Sequence, residues 1–167
     1  YGFGSCGSIK KSIKNTTIPA RLEFINNFIF DVSHNEDGIS KFVEYFKTIQ
    51  KKYTKKILVF GLLKDKNYKK IISILINNFD EIYLALPKSE RALDLEVLRA
   101  EIALQSADKK VKICQNNYSL IFEDISPMIQ NNKKNQNIIC VLGSFYLVAP
   151  MREYYFALKK NKLKGIL

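Results

Sequence analysis

Four short stretches of the sequence hold the side chains best suited to chemistry. Arg21 stands in IPARLEF; Asp31, Ser33, His34 and Asn35 stand together in FDVSHN; Lys64, Asp65 and Lys66 follow one another in LLKDKN; Ser144 closes VLGS. These types suit anions and hydroxyls. An arginine can fork onto phosphate oxygens, a carboxylate can accept from a ribose diol, and an imidazole or hydroxyl can hold a carboxylate or a transferring phosphoryl group. Plainer uses stand beside these: Asp31 equally suits a helix N-cap, and Arg21 an exposed charge on an edge strand. His34 is the one histidine of the chain. One histidine cannot build a zinc site and no Ser or Cys sits in a nucleophile elbow, so hydrolytic chemistry finds no support.

The opening GFGSCG spells G-x-G-x-x-G and most of a P-loop. Both motifs require a buried strand before the glycines, and only Tyr1 precedes Gly2 here. The P-loop also requires Lys and then Ser or Thr after its last glycine, where Ser8 and Ile9 stand. The stretch reads as a connector, and any bound nucleotide must be held by other residues.

The elements that must position the candidate residues follow from periodicity. RLEFI and FIFDVS flank Asn26 and Asn27, a pair that tolerates a left-handed hairpin turn. Residues 37–52 place Ile39, Phe42, Val43, Phe46 and Ile49 at helical spacing, and KILVFGLL follows as a continuous apolar strand. The alternation continues with helices predicted over 68–79, 91–105, 118–130 and 146–160, and strands at EIYLALP, KVKIC and NIICVLGS. Fully apolar strands between amphipathic helices predict an α/β, Rossmann-like domain: a mostly parallel sheet with an antiparallel edge strand and helices on both faces. In such a sheet ligands bind beyond the carboxyl ends of the strands. Asp31, Ser33, His34 and Asn35 stand after the first of these strands, Gly61 and Lys64 to Lys66 after the second, Pro87, Glu90 and Arg91 after the third, and Gly143 and Ser144 after the fifth. One rim is thereby predicted to gather the reactive groups.

The bulk composition narrows the partners. The chain has 167 residues, 47% of them hydrophobic, which is the size of one domain. Its net charge of +11 invites a polyanion. The lysines, however, fall in dispersed pairs at helix ends and strand starts, without the concentrated stripe and stacking aromatics of a nucleic-acid-binding α/β module, the rival reading from another class. Cys6, Cys114 and Cys140 lack C-x-x-C spacing, and the last two fall in apolar runs, so they read as reduced thiols of a cytoplasmic protein. No stretch has the length of a membrane span. Neither nucleic acid nor membrane is expected as a partner.

In order and spacing, IPARLEF, FIFDVSHN, VFGLLKDKNY, SERAL and VLGSFYLV resemble the C-terminal domain of the folylpolyglutamate synthase and dihydrofolate synthase family, within the Mur ligase superfamily. The resemblance runs from about Ile9 to the end and implies a division at residue 15/16. Residues 1–15 would be the end of an N-terminal ATPase domain or its linker, and residues 16–167 a Mur ligase C-terminal-like domain. It also implies an ATP-dependent ligase that joins L-glutamate to dihydropteroate or a folate through an acyl phosphate. ATP and Mg2+ would be shared with an N-terminal P-loop domain that carries the metal ligands. By that resemblance Arg21 approaches ATP phosphates, Asp31 holds the ribose, His34 is the catalytic group facing glutamate or the acyl phosphate, and Ser144 joins it on glutamate. Asn35, Lys64, Asp65 and Lys66 shape the cleft. The chain alone is expected to be inactive.

Two departures stand out: the family usually has Gly where Ala20 stands and Pro where Glu36 stands. A peptidoglycan Mur ligase shares the domain plan and is the nearest rival, but D-x-x-H-N and GSFYLV favour the folate branch.

Overall fold

The computed structural model describes residues 18–115, 117–130 and 137–164, without the side chains of 126–130 and 161–164. The GFGSCG connector, Cys6, the 15/16 division and most of QNNKKNQN lie outside the described residues. Six strands form one sheet in the order β1-β2-β6-β3-β4-β5. They are β1 (Glu23–Ile25), β2 (Phe28–Asp31), β3 (Lys55–Gly61), β4 (Glu81–Leu84), β5 (Lys110–Ile113) and β6 (Asn137–Gly143). Between and after them run α1 (Glu36–Ile49), α2 (Tyr68–Leu75), α3 (Leu95–Gln105), α4 (Tyr118–Gln130) and α5 (Phe145–Lys164). Among the six described strands only the β1–β2 pair is antiparallel, as the sequence predicts. Asn26 takes the left-handed turn between them at φ 52°, and its Nδ2 donates to the Tyr155 hydroxyl of α5 at 2.5 Å.

The period-two alternation of the strands divides the core in two. Ile29, Leu58, Phe60, Ile82, Leu84, Cys140 and Leu142 point to one face, which α1, α2 and α3 cover with Phe42, Phe46, Ile71, Leu75 and Leu98. Phe28, Phe30, Ile57, Val59, Tyr83, Ile139 and Val141 point to the other, covered from α4 and α5 by Ile121, Phe122, Leu147, Val148 and Met151. Each such side chain, fully buried, stabilises the fold by about 1.5–3 kcal/mol before chain entropy is counted. No helix among the described residues is long and apolar enough to cross a membrane.

Several helix boundaries differ from the pattern reading. The helix predicted from Arg91 begins at Leu95, because residues 91–93 extend instead: Lys64 N–H donates to Arg91 O, Leu93 N–H donates to Leu62 O, and Asp94 caps α3 through Glu96 N–H. The ends of the helices predicted to Lys52 and Phe79 tighten into 3-10 turns at 50–52 and 76–78. The last helix starts at Phe145 and runs to Lys164.

The sheet order opens the rim. The β2-α1-β3 connection passes across β6 on one face, and β5-α4-β6 returns on the other, so helices leave adjacent strand ends on opposite faces. A crevice forms where such connections diverge. Close approach of β3 to the ends of β4 and β6 demands glycines. A Cβ on Gly61 would meet Ala85 O at 2.1 Å, and one on Gly143, at φ 112°, would meet Gly61 O at 2.3 Å.

Candidate functional site

A cleft of about 460 Å³ opens beyond β2, within the range of small-ligand sites. Arg21, Asp31, Ser33, His34 and Asn35 line it, with Asp37, Gly38 and Lys41 on α1 and an apolar end of Leu22, Phe42 and Tyr45. Four of the predicted site residues, Arg21, Asp31, His34 and Asn35, are therefore brought together.

Each is presented differently. Asp31 is buried, 7% exposed. Its Oδ2 accepts from Leu22 N–H at 2.7 Å and its Oδ1 from Ser33 N–H at 2.8 Å, so the carboxylate ties the turn before β1 to the loop after β2. The N-cap reading of Asp31 is thus corrected: the cap of α1 is Asn35, whose Oδ1 accepts from Gly38 N–H at 2.8 Å. Asx side chains suit that post because they satisfy an otherwise orphaned amide. His34 is exposed, and its Nδ1 lies 2.8 Å from Val32 O. A carbonyl partner can only accept, which assigns a proton to Nδ1 and leaves Nε2 uncommitted on a ring that lines the cleft. Arg21 is exposed and has no carboxylate partner among the described residues, so its guanidinium is available to an anion. Lys41 pairs with Asp37 at 2.7 Å; both are largely solvated, and the pair raises the affinity of Lys41 for its proton.

The other predicted residues share the rim but not the cleft. Ser144 is buried; its Oγ accepts from Tyr146 N–H at 3.2 Å, and its own N–H donates to Gly61 O at 3.0 Å, so it caps α5. Lys64, Asp65 and Lys66 form the loop after β3, where Lys66 pairs with Asp65 at 2.7 Å and the Lys66 ammonium lowers the Asp65 pKa. This loop leans toward the site through its neighbour: Asn67 Nδ2 donates to Glu36 Oε1 at 2.8 Å. Glu36, where the resembled family usually has Pro, thereby links the loop to the first turn of α1.

Sequence reasoning missed Lys41, Phe42 and Tyr45 as cleft walls. Their signal was available: Gly38, Lys41 and Tyr45 stand at i, i+3 and i+7, next to the buried stripe of α1. Among the described residues no group of three or more His, Cys, Asp or Glu side chains is placed to hold a metal ion.

The family model for the Mur ligase, glutamate ligase domain, matches residues 20–145. The dihydrofolate synthase/folylpolyglutamate synthase of Bacillus subtilis (strain 168) is 26% identical over 150 residues, covering 87% of this chain and 32% of that protein. The chain thus spans about a third of the length of the curated relatives it matches. Among solved structures, E. coli FolC in complex with DHPP and ADP superposes with a TM-score of 0.77 at 22% identity, covering 93% of this chain and 35% of that one. The bifunctional folylpolyglutamate synthase/dihydrofolate synthase from Yersinia pestis, complexed with AMPPNP and Mn, gives 0.71 at 19% identity, covering 91% and 35%. These similarities establish a shared fold.

Proposed function

Since the chain belongs to the glutamate ligase domain family of the Mur ligases, we propose that it is the C-terminal part of an ATP-dependent ligase that adds L-glutamate to dihydropteroate or a folate. In that reaction a substrate carboxylate takes the γ-phosphoryl group of ATP, releasing ADP. The amine of glutamate then attacks the acyl carbon, losing a proton, and phosphate departs as the amide forms. The observation that carries this reading is the convergence of Arg21, Asp31 and His34 on one cleft at the strand ends.

The roles follow from how each group is held. Arg21, without a carboxylate partner, binds phosphate oxygens through a charge-assisted fork. Asp31 keeps one oxygen lone pair on each side beyond its two backbone bonds, enough to accept from a ribose hydroxyl. His34, with Nδ1 fixed on Val32 O, offers Nε2 to glutamate or the acyl phosphate and positions the amine for attack. Phosphoryl and acyl transfer need orientation and exclusion of water more than covalent help. A second domain closing over this rim would supply both, and it would bring the P-loop and the ligands for Mg2+, to which no described residue here is assigned. Ser144 contributes on the glutamate side by fixing the start of α5. Asn35 shapes the cleft as the cap of α1, and the Lys64 to Lys66 loop bears on it from outside, through the Asn67–Glu36 hydrogen bond.

The reading is tested on the intact protein by following ADP release with dihydropteroate or tetrahydrofolate, glutamate and ATP together. Release that depends on all three substrates is expected. Release with a muramyl substrate in place of the pterin would overturn the folate assignment.

A further inference from the structure

The turn that carries Arg21 has an unusual build. Ala20 and Leu22, on either side of it, both adopt left-handed backbone, at φ 57° and 45°, a region that side-chain-bearing residues rarely enter. Each is held there by a carboxylate. Ala20 N–H donates to Glu23 Oε2 at 2.8 Å, and Leu22 N–H donates to Asp31 Oδ2 at 2.7 Å. Glu23 is gripped in turn from α5: Arg152 Nε donates to Oε2 at 2.7 Å and Nη2 to Oε1 at 2.8 Å, a two-pronged ion pair. The Glu23 side chain is only 14% exposed, and the Arg152 fork holds its carboxyl below the usual carboxylate range. Arg152 is steadied by the Phe156 ring, 4.8 Å away. Neither Glu23 nor Arg152 lines the cleft.

Resting on the reading of Arg21 as the phosphate anchor, we propose that Glu23 and Arg152 are positioning residues for Arg21, an ion pair that locks the Ala20–Leu22 turn so that the guanidinium faces the cleft before nucleotide arrives. An arginine on an unrestrained edge would lose backbone freedom on binding; here the backbone on either side of Arg21 is fixed during folding, and the gain appears as nucleotide affinity. The pair also connects the middle of α5 to the nucleotide end of the cleft across 129 residues of sequence.

The test is a double-mutant cycle on the intact ligase, reading KM for ATP, KM for glutamate and thermal midpoint together. Arg21→Ala is expected to raise KM for ATP by about tenfold to a hundredfold, the loss of one charge-assisted contact. Glu23→Gln and Arg152→Lys are each expected to raise it by about three- to tenfold, with KM for glutamate within twofold. On the Arg21→Ala background the same changes should add nothing to KM for ATP, whereas a general loss of structure would persist. Arg152→Lys keeps the charge and serves if Glu23→Gln fails to fold. Single variants that leave KM for ATP within twofold, or effects that multiply with Arg21→Ala, overturn the positioning role. An unchanged KM for ATP in Arg21→Ala itself would overturn the phosphate-anchor reading on which it rests.

Discussion

Replacing Asp31 should separate scaffolding from ligand binding within the cleft. Its carboxylate takes two backbone N–H groups, those of Leu22 and Ser33, from a buried position. Asp31→Ala would strand both amides in a partly buried site, at about 1–3 kcal/mol for each unsatisfied group, and partial access of water keeps the sum near about 2–4 kcal/mol. In a domain of this size that corresponds to a fall of about 5–15 °C in thermal midpoint. Asp31→Asn retains one acceptor and turns a donor toward the second amide, so about half that loss is expected. His34→Ala is the internal control: the ring is exposed and its one protein partner is Val32 O, so stability should stay within about 0.5 kcal/mol. Thermal and urea unfolding followed by circular dichroism measure all three. An Asp31→Ala variant as stable as the His34→Ala variant would refute the view that Asp31 holds the turn and the loop together.

Three further outcomes are expected. Glu81, buried at the start of β4, has Lys55 at 2.7 Å and Lys110 and Lys112 at 3.4 Å; burial raises its pKa but the Lys55 and Lys112 ammoniums outweigh it, so the net shift is downward. Its stabilisation is therefore complete above the unfolded carboxylate range and lost as pH falls through the lower folded value, and Glu81→Gln should flatten the acid limb of a stability-versus-pH curve; an unchanged limb would show that the lysines do not hold it. Gly143→Ala combines the φ of 112° with a Cβ 2.3 Å from Gly61 O and should destabilise by about 3 kcal/mol or more in urea unfolding. The isolated 167-residue chain should show no ADP release with pteroate, glutamate and ATP, and turnover by it would contradict the assignment of half the cleft to another domain.

Much of this was legible in the sequence, for reasons that individual residues show. After their polar first residues, strands β3 and β6 run apolar to Gly61 and Gly143, and a parallel sheet covered on both faces accommodates such runs. Asn26 announced the hairpin because few other residues take its left-handed turn. Arg21, Asp31, His34 and Asn35 could be grouped because a single hairpin and the strand-to-helix junction after it place them on one rim. What stayed hidden depends on contacts between distant segments. Residues 91–93 extend because residues 62–64 bind them, and no local periodicity reports that. Position after a strand end identifies the rim but not the direction in which a loop folds, so Ser144 and Lys64 to Lys66 are placed with His34 on the rim although they lie outside the cleft. The hold of Arg152 on Glu23 joins residues 129 positions apart, beyond the reach of any spacing rule.

The proposed site is tested most directly by a pair of Michaelis constants from the intact protein in which Arg21 or His34 is replaced by alanine. A split is expected: Arg21→Ala raises KM for ATP by at least about tenfold with KM for glutamate nearly unchanged, and His34→Ala lowers kcat and raises KM for glutamate with KM for ATP nearly unchanged. Two variants with both constants and kcat at the wild-type values would mean that the cleft beyond β2 is not where the proposed reaction takes place.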